Sequence, residues 1–325
     1  MPWRGIRDPY RIWVSEAMLQ QTQVATATPY YARFVARFPT LAALAGARIS
    51  EVLAAWAGLG YYRRARHLHE AARLVMREHG GRVPDDPQAF LRLPGVGRYT
   101  AGAVLSIAFD RPLPVLDGNV ARVLSRQFAL PVNARTAAGA RRLWALAAAL
   151  VPMRHPGDWN QALMELGATV CLPREPRCGA CPVAKSCRAR ALGRPEAYPP
   201  AVSRRATERV RRAVALIERR GRVLVEQRHG ALLAGLWEPP GVELANGASA
   251  QTAVAAKLAA LGIGATLSDS GRRVRHAITH RAITVEVWSG RLTRTAPRRA
   301  TLRWVERSHP ALALTALARR LIARD

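Results

Sequence analysis

The hydrophobic and polar positions in the first half of the chain repeat with a helical period. Apolar residues three or four positions apart, such as Ala101, Val104 and Leu105, predict helices that each bury one face. Aspartate followed by proline, at residues 8–9 and 86–87, is typical of a helix start, since aspartate caps the first turn and proline fits its first position. The pattern therefore predicts an all-α region.

The pattern changes after a segment rich in proline and arginine, residues 189–211, which we interpret as a linker. Beyond it, alternating and β-branched residues predict strands. The predicted strands are 210–217, 222–227, 283–288 and 302–305, with a helix at 250–261. We therefore expect a multi-domain protein with an all-α domain at 1–188 and a smaller α+β domain at 212–325.

The net charge of the chain indicates which class of partner it favours. The 325 residues include 50 Lys+Arg and 22 Asp+Glu, a formal net charge of +28. Such an excess favours a polyanion such as nucleic acid, because basic side chains neutralise phosphates and release counterions. The chain lacks an apolar run long enough to span a bilayer, so we expect a soluble protein without a membrane partner.

All four cysteines lie within residues 171–187, in the pattern C-x6-C-x2-C-x5-C. Four thiolates this close can hold zinc or an iron–sulfur cluster, and the spacing alone leaves both open. Disulfides are less favoured because the N-terminus does not resemble a secretion signal. The ligands would be Cys171, Cys178, Cys181 and Cys187.

Two turns that precede the cysteine segment in the chain contain candidate functional residues. Gly95, Val96 and Gly97 lie between two helical patterns, where a tight turn can expose backbone N–H groups to a phosphate. A plain helix–turn–helix loop is the simpler alternative. Asp117 follows twenty positions after Gly97, and on its own it is explained as a helix N-cap. The order of turn, aspartate and cysteine loop favours a functional arrangement.

Glu16 lies on the helix that starts after Asp8, on one face with Ile12 and Leu19. Apolar surroundings raise the proton affinity of a carboxyl group, which suits a general acid. A glutamate that points to solvent or pairs with an arginine is the alternative.

Residues 2–187 resemble the helix-hairpin-helix DNA glycosylase superfamily that carries a [4Fe-4S] cluster. Within it, the MutY type differs from the endonuclease III type, which has a nucleophilic lysine in the hairpin where this chain has Tyr99. The runs at 15–24 and 58–62 also resemble the MutY type. The resemblance implies an all-α helix-hairpin-helix glycosylase domain with a [4Fe-4S] cluster loop held by the four cysteines.

The same resemblance implies site roles. Glu16 would protonate adenine N7 and Asp117 would stabilise the cationic sugar, as paired carboxylates do in glycosidases. Asn119 would order Asp117, and Tyr99 would belong to the catalytic group. Because the glycosidic bond is unreachable inside a duplex, adenine must be flipped out. The implied DNA-contacting residues, with Gln21 and Tyr61 as wedges, are Gln20, Gln21, Thr22, Tyr61, Gly95, Val96 and Gly97.

The second domain resembles the MutT-like (Nudix-fold) domain of MutY enzymes, through residues 233–241. Nudix hydrolases need several glutamates for Mg²⁺, and residues 244–262 contain no Asp or Glu. We therefore expect a reader of 8-oxoguanine, with Thr279 and His280 as its contacts. Ile278 stands where the family usually has an aromatic residue, which weakens the expected lesion preference.

These implications predict a monofunctional adenine DNA glycosylase of base excision repair. Its expected substrate is double-stranded DNA with 8-oxoguanine:adenine or guanine:adenine mispairs. We further expect a monomer in the cytoplasm, at the bacterial nucleoid. One alternative is an endonuclease III-like glycosylase and lyase for oxidised pyrimidines, which would need an amine from Lys185, Lys257 or Pro2. The other is a non-catalytic, basic, DNA-binding iron–sulfur protein.

Overall fold

The computed structural model describes residues 1–201, 206–229, 233–278, 280–297, 299–308 and 312–323. The chain divides into two compact units. The first contains residues 1–47 and 63–203, and the second contains residues 48–62 and 204–325. The sequence predicted neither the assignment of 48–62 to the second unit nor the assignment of 189–201 to the first.

The first unit is helical, as the sequence predicted. Its helices are α1 (Pro9–Leu19), α2 (Val24–Arg37), α3 (Leu41–Gly46), α5 (Arg63–Glu78), α6 (Pro87–Leu91), α7 (Arg98–Phe109), α8 (Gly118–Gln127), α9 (Ala137–Leu150), α10 (Pro156–Thr169) and α11 (Arg188–Ala191). Helix α4 (Ile49–Trp56) belongs to the second unit. Short 3-10 turns at Cys178–Ala180 and Ala184–Ser186 shape the cysteine loop.

Both predicted helix starts are confirmed. The Asp8 carboxylate accepts hydrogen bonds from the backbone N–H groups of Tyr10 and Arg11, and Asp86 accepts one from Ala89. These bonds satisfy donors that a helix leaves unpaired in its first turn. They fix where α1 and α6 begin, and α1 carries the glutamate of the candidate site.

The second unit is built on one seven-stranded sheet. The strands are β1 (Glu208–Arg219), β2 (Arg222–Gln227), β3 (Trp237–Glu238), β4 (Gly241–Leu244), β5 (Ala265–Ile278), β6 (Arg281–Leu292) and β7 (Leu302–Glu306). The main order is β3-β2-β1-β6-β5, with β4 paired to β1 and β7 to β2. Strands β1 and β6 are parallel, and β5 and β6 form an antiparallel hairpin.

Helices α12 (Ala250–Ala260) and α13 (Ala316–Ile322) pack in separate cores of this sheet. Ala213 and Ile217 of β1 belong to the α12 core, whereas Val210 and Val214 belong to the α13 core. Successive strand residues point to opposite faces, so the two helices cover opposite sides of β1. This arrangement confirms the predicted α+β domain.

The sequence missed the longest strand, β5. Of its fourteen residues only Val274 is buried, and most of the others are polar or exposed. Such a strand lacks the alternation that reveals a half-buried strand in sequence. No helix among the described residues has the length and apolar composition needed to cross a bilayer.

Candidate active site

The acid position is formed by Glu16, deep in α1. The residue is 5% exposed, and its neighbours along the helix, from Tyr10 to Met18, are almost all buried. The Tyr99 hydroxyl, at the start of α7, donates a hydrogen bond to Glu16 Oε2 at 2.9 Å. The helix therefore buries the carboxyl group beside a neutral donor rather than exposing it to solvent, as the alternative interpretation required.

Burial raises the pKa of Glu16 to about 7, with the charge of Asp117 adding to the shift and the Tyr99 hydrogen bond opposing it. Burial, together with the charge of Glu16, also raises the pKa of Tyr99 well above its ordinary value. Tyr99 therefore stays a neutral hydrogen-bond donor near neutral pH. Glu16 can hold and release a proton in the same range, as a general acid must.

The second carboxylate, Asp117, is the N-cap of α8. Its Oδ1 accepts the backbone N–H of Val120 at 2.7 Å, and its Oδ2 accepts the side-chain amide of Asn119 at 3.2 Å. Burial raises the pKa of Asp117, while these bonds and the charge of Arg122 pull it down. Asp117 can therefore cap α8 and also take part in the site, because the capping bonds hold the carboxylate whose charge acts on Glu16.

Two arginines on α8 join this carboxylate to the cysteine loop, and sequence reasoning missed both. Arg122 donates to Asn119 Oδ1 at 3.0 Å and to the Cys171 carbonyl at 2.8 Å. One turn later, Arg126 is 2% exposed and donates to Cys171 Sγ at 3.3 Å and to carbonyls of the loop. The loop is therefore connected to the Asp117 cap through hydrogen bonds that α8 supplies.

The four cysteines line one pocket with Arg126, and none of them forms a disulfide. Burial and the other three cysteines raise the pKa of the Cys181 thiol, so the sulfurs are close enough to interact. Among the described residues, no group of three His, Cys, Asp or Glu side chains is arranged to hold a metal ion. The structure therefore brings the four predicted ligands together in one pocket.

The predicted hairpin is a tight turn before α7. Gly95 has φ +75°, and a Cβ there would lie 2.6 Å from the Cβ of His67, so both the backbone and the space require glycine. Gly97 is the N-cap of α7 and leaves its first N–H groups without a side-chain cap. The Val96 N–H, in contrast, donates to the Leu93 carbonyl inside the turn. The N–H groups that could bind a phosphate would therefore come from the first turn of α7.

The predicted wedge residues belong to different units. Gln21 has φ +56° in the loop after α1, and Gln20 beside it donates to Thr100 Oγ1 at 3.2 Å. Tyr61 is 46% exposed with φ +48°, and it lies in the second unit. A positive φ is uncommon outside glycine and is concentrated at functional turns. Both wedge positions share this conformation.

The predicted lesion reader is described in part. Thr279 lies outside the described residues. His280 is at the turn between β5 and β6, and its Nε2 lies 3.7 Å from the Glu208 carboxylate. Arg281, next in the chain, forms ion pairs with both Glu208 and Glu243. These pairs fix the start of β6 beside His280.

Sequence reasoning also missed Arg4. Its charge lowers the pKa of Glu16 and of Tyr99, and its guanidinium is hydrogen-bonded to Gln161 and Glu165 of α10. The Tyr99 hydroxyl also lies 3.2 Å from the sulfur of Met164. Arg4 and α10 therefore complete the surroundings of the acid, although no motif marks them.

The chain is similar to proteins of known activity. The family model described as HhH-GPD superfamily base excision DNA repair protein matches residues 14–149, and the NUDIX domain model matches residues 213–324. Adenine DNA glycosylase of Mus musculus is 42% identical over 297 residues, which cover 75% of this chain and 58% of that protein. The Homo sapiens protein of the same name is 41% identical, with 74% and 54% covered.

The chain spans about half the length of these curated relatives. Among solved structures, a thermostable thymine-DNA glycosylase is 34% identical with a TM-score of 0.54, over 59% of this chain and 88% of that one. A trapped endonuclease III–DNA covalent intermediate, 22% identical with a TM-score of 0.51, shares the fold over 58% and 88% of the two chains. The helical unit matches in both sequence and structure, so the chain belongs to the HhH-GPD superfamily of base excision DNA repair proteins, and a NUDIX domain follows that unit.

Proposed function

We propose that this protein is a monofunctional adenine DNA glycosylase that removes adenine paired with 8-oxoguanine or guanine in double-stranded DNA. One observation carries the proposal: Glu16 is buried, has a pKa near 7, and shares its site with the capped carboxylate of Asp117. The similarity to adenine DNA glycosylases over 75% of the chain supports the choice of base.

The proposed reaction breaks the C1′–N9 bond of a flipped adenosine. Glu16 gives its proton to adenine N7, and the bonding electron pair leaves with the base. Asp117 stabilises the positive charge on the sugar, because an oriented carboxylate in a buried site needs no reorganisation. Water then bonds to C1′ and returns a proton to the Glu16 carboxylate, which restores the acid.

A water nucleophile is favoured over a lyase mechanism. The hairpin position that would carry a lysine holds Tyr99, whose raised pKa keeps it protonated. The two lysines, Lys185 and Lys257, lie in the cysteine loop and in α12. An amine that forms a Schiff base must contact the sugar. We therefore expect an intact abasic strand as the product.

We also propose that Cys171, Cys178, Cys181 and Cys187 hold a [4Fe-4S] cluster. The shared pocket and the mutual effect of the thiols support a common centre, and the resemblance to cluster-bearing glycosylases favours iron–sulfur over zinc. A bound cluster would cross-link the loop and stabilise it through four iron–thiolate bonds. Protein purified without air should contain about four irons and labile sulfide per chain. Stoichiometric zinc without sulfide would overturn the assignment.

The lesion preference is assigned to the NUDIX unit, with His280 and Thr279 as the proposed contacts. Glu238, which lies in the run that resembles the MutT-like domain, is held by arginines, and α12 lacks acidic residues. A glutamate paired with arginines and an α12 without acidic residues fit a reader better than a Mg²⁺-dependent hydrolase.

A second candidate is removal of thymine, because the helical unit is 34% identical to a thymine-DNA glycosylase. That similarity covers 59% of this chain, whereas the adenine glycosylases are similar over 75%. Adenine is therefore the first choice.

One assay separates the candidates. Duplexes carry adenine opposite 8-oxoguanine, guanine or thymine, or thymine opposite guanine, and the products are analysed with and without hot alkali. We expect adenine loss opposite 8-oxoguanine and guanine, with strand scission only after alkali. Scission without alkali together with borohydride trapping would support a lyase. Binding without base loss would leave a non-catalytic DNA-binding protein.

A further inference from the structure

The end of α1 is held by one arginine from another helix. Nη1 of Arg64 lies 3.0 Å from the carbonyl oxygen of Ala17 and 2.7 Å from that of Met18, and it also donates to the carbonyl of Gln20. Its Nη2 donates to Thr22 Oγ1 at 3.1 Å. The last carbonyls of a helix have no partner within the helix. Arg64 supplies partners for them from α5.

These contacts surround a residue in an unfavourable conformation. Gln21 has φ +56°, and it lies between Gln20 and Thr22, both of which Arg64 holds. Such a backbone conformation persists in a residue other than glycine only when its surroundings determine it. Gln20 is additionally tied to Thr100 through its side chain. The loop is therefore fixed on both sides of Gln21.

Arg64 is itself on a rigid support. It lies in the first turn of α5, a sixteen-residue helix whose Ala65, Leu68 and Ala72 are buried. The guanidinium is planar and presents several donors in fixed directions, which lets one side chain satisfy acceptors on two sides. An ammonium group on a flexible stem would not hold the same set at once.

We propose that Arg64 is a positioning residue that presets the wedge loop, residues 20–22, for base flipping. It acts through the backbone of that loop and does not contact the reacting atoms. The proposal rests on the proposed function, since the wedge role of Gln21 belongs to it. The loop should be ordered before DNA binds, so that the side chain of Gln21 enters the duplex without a prior conformational search.

The first test does not depend on activity. Hydrogen exchange of the free protein is compared between the wild type, Arg64→Met, Arg64→Lys and the control Arg73→Met, which removes an exposed arginine of the same helix. In Arg64→Met we expect backbone amides at 20–23 to exchange at least about tenfold faster, while α7 and α8 keep their protection. Unchanged exchange at 20–23 would overturn the proposal, whatever the activity of the protein.

The second test separates positioning from general damage. Single-turnover excision is measured for adenine opposite 8-oxoguanine and for adenine opposite an abasic site, where unpairing is already easy. We expect Arg64→Met to slow the first reaction about 10 to 100-fold and the second by less than about threefold. Arg64→Lys should fall between, and Arg73→Met should match the wild type.

Equal slowing on both substrates would assign Arg64 a purely structural role and overturn the proposal. If the wild type removes no adenine from either duplex, the proposed function fails while the exchange result still decides whether Arg64 orders the loop.

Discussion

The two units bury a glutamate to the same extent and surround it differently. Glu16 of the helical unit and Glu238 of the NUDIX unit are each 5% exposed. Glu16 accepts a hydrogen bond from the neutral hydroxyl of Tyr99. Glu238 forms ion pairs with Arg212 and Arg228. Burial alone therefore does not distinguish the proposed catalytic carboxyl group from one that only holds strands together.

The partner decides what each glutamate can do. A buried carboxyl group without a strong cationic partner resists ionisation, which is why burial raises the pKa of Glu16 to about 7. Two guanidinium groups instead neutralise Glu238, so that it joins β3 to β1 and to the end of β2. The first glutamate keeps an exchangeable proton, and the second holds strands together.

The largest expected difference between the two glutamates is in the rate of adenine excision. Glu16→Gln and Asp117→Asn should each slow adenine excision by about 10³-fold or more, because acid catalysis and stabilisation of the cation are lost. Glu238→Gln should change the rate by less than about threefold. Single-turnover excision and duplex binding, measured separately, check this. A rate above about a tenth of the wild type in either site variant would remove that residue from the mechanism.

The effects of substituting the two glutamates on the free energy of unfolding should have the opposite order. Glu238→Gln takes the carboxylate away from the buried guanidinium of Arg212 and the half-buried one of Arg228, and it should destabilise the NUDIX unit by about 3 kcal/mol. Glu16→Gln should not destabilise the helical unit at pH 8. Denaturation followed by hydrogen exchange of β1 and α1 reports on each unit separately. Equal loss of protection in both units for either variant would contradict the comparison.

The pH dependence of stability has a defined sign. The folded-state pKa of Glu16, about 7, exceeds its ordinary value of 4.5, so folding disfavours the charged form. The penalty is absent below about pH 4.5, grows between 4.5 and 7, and reaches roughly 3 kcal/mol above 7. Glu16→Gln, which cannot ionise, should therefore gain stability relative to the wild type as the pH rises through this window.

Excision should depend on the same proton. The rate should be nearly constant below pH 7 and fall about tenfold per unit above it, as Glu16 loses its proton. Single-turnover rates from pH 5.5 to 9 measure the profile, and the residual rate of Glu16→Gln should lack this descending limb. If that variant keeps the same limb, another group supplies the proton.

The smallest expected effect concerns base discrimination. His280→Ala should lower the preference for 8-oxoguanine over guanine by about 1 kcal/mol, because a polar contact to the lesion is lost. The exposed His229 provides a matched control, since His229→Ala removes a histidine from the same unit. An unchanged preference in His280→Ala would place lesion reading elsewhere.

The sequence predicted the parts that depend on local rules. The caps at Asp8 and Asp86, the glycine turn at Gly95 and the burial of Glu16 follow from neighbours within one or two helical turns. Order along the chain then related the turn, Asp117 and the cysteines. This local information was enough for the helical and α+β regions and for the resemblance to glycosylases.

The missed residues act over long sequence distances. Arg64 reaches the α1 carbonyls more than forty positions away, and Arg122 reaches Cys171 across 49 positions. Both lie in a chain with 50 basic residues, in which no local pattern separates an arginine bound to carbonyls from a solvated one. Only tertiary structure identifies them, because each is defined by its acceptors.

The N-cap position of Asp117 constrains natural variation in this protein. The same carboxylate closes the first turn of α8 and faces the acid across the site. Most replacements would lose about 1 kcal/mol of helix stability as well as the proposed catalytic role, so their effects on folding and on turnover are expected together. Asparagine keeps the cap and loses the charge. Among changes at this position, it is the one expected to leave a well-folded protein that, on the proposed function, still binds the mispair without releasing the base.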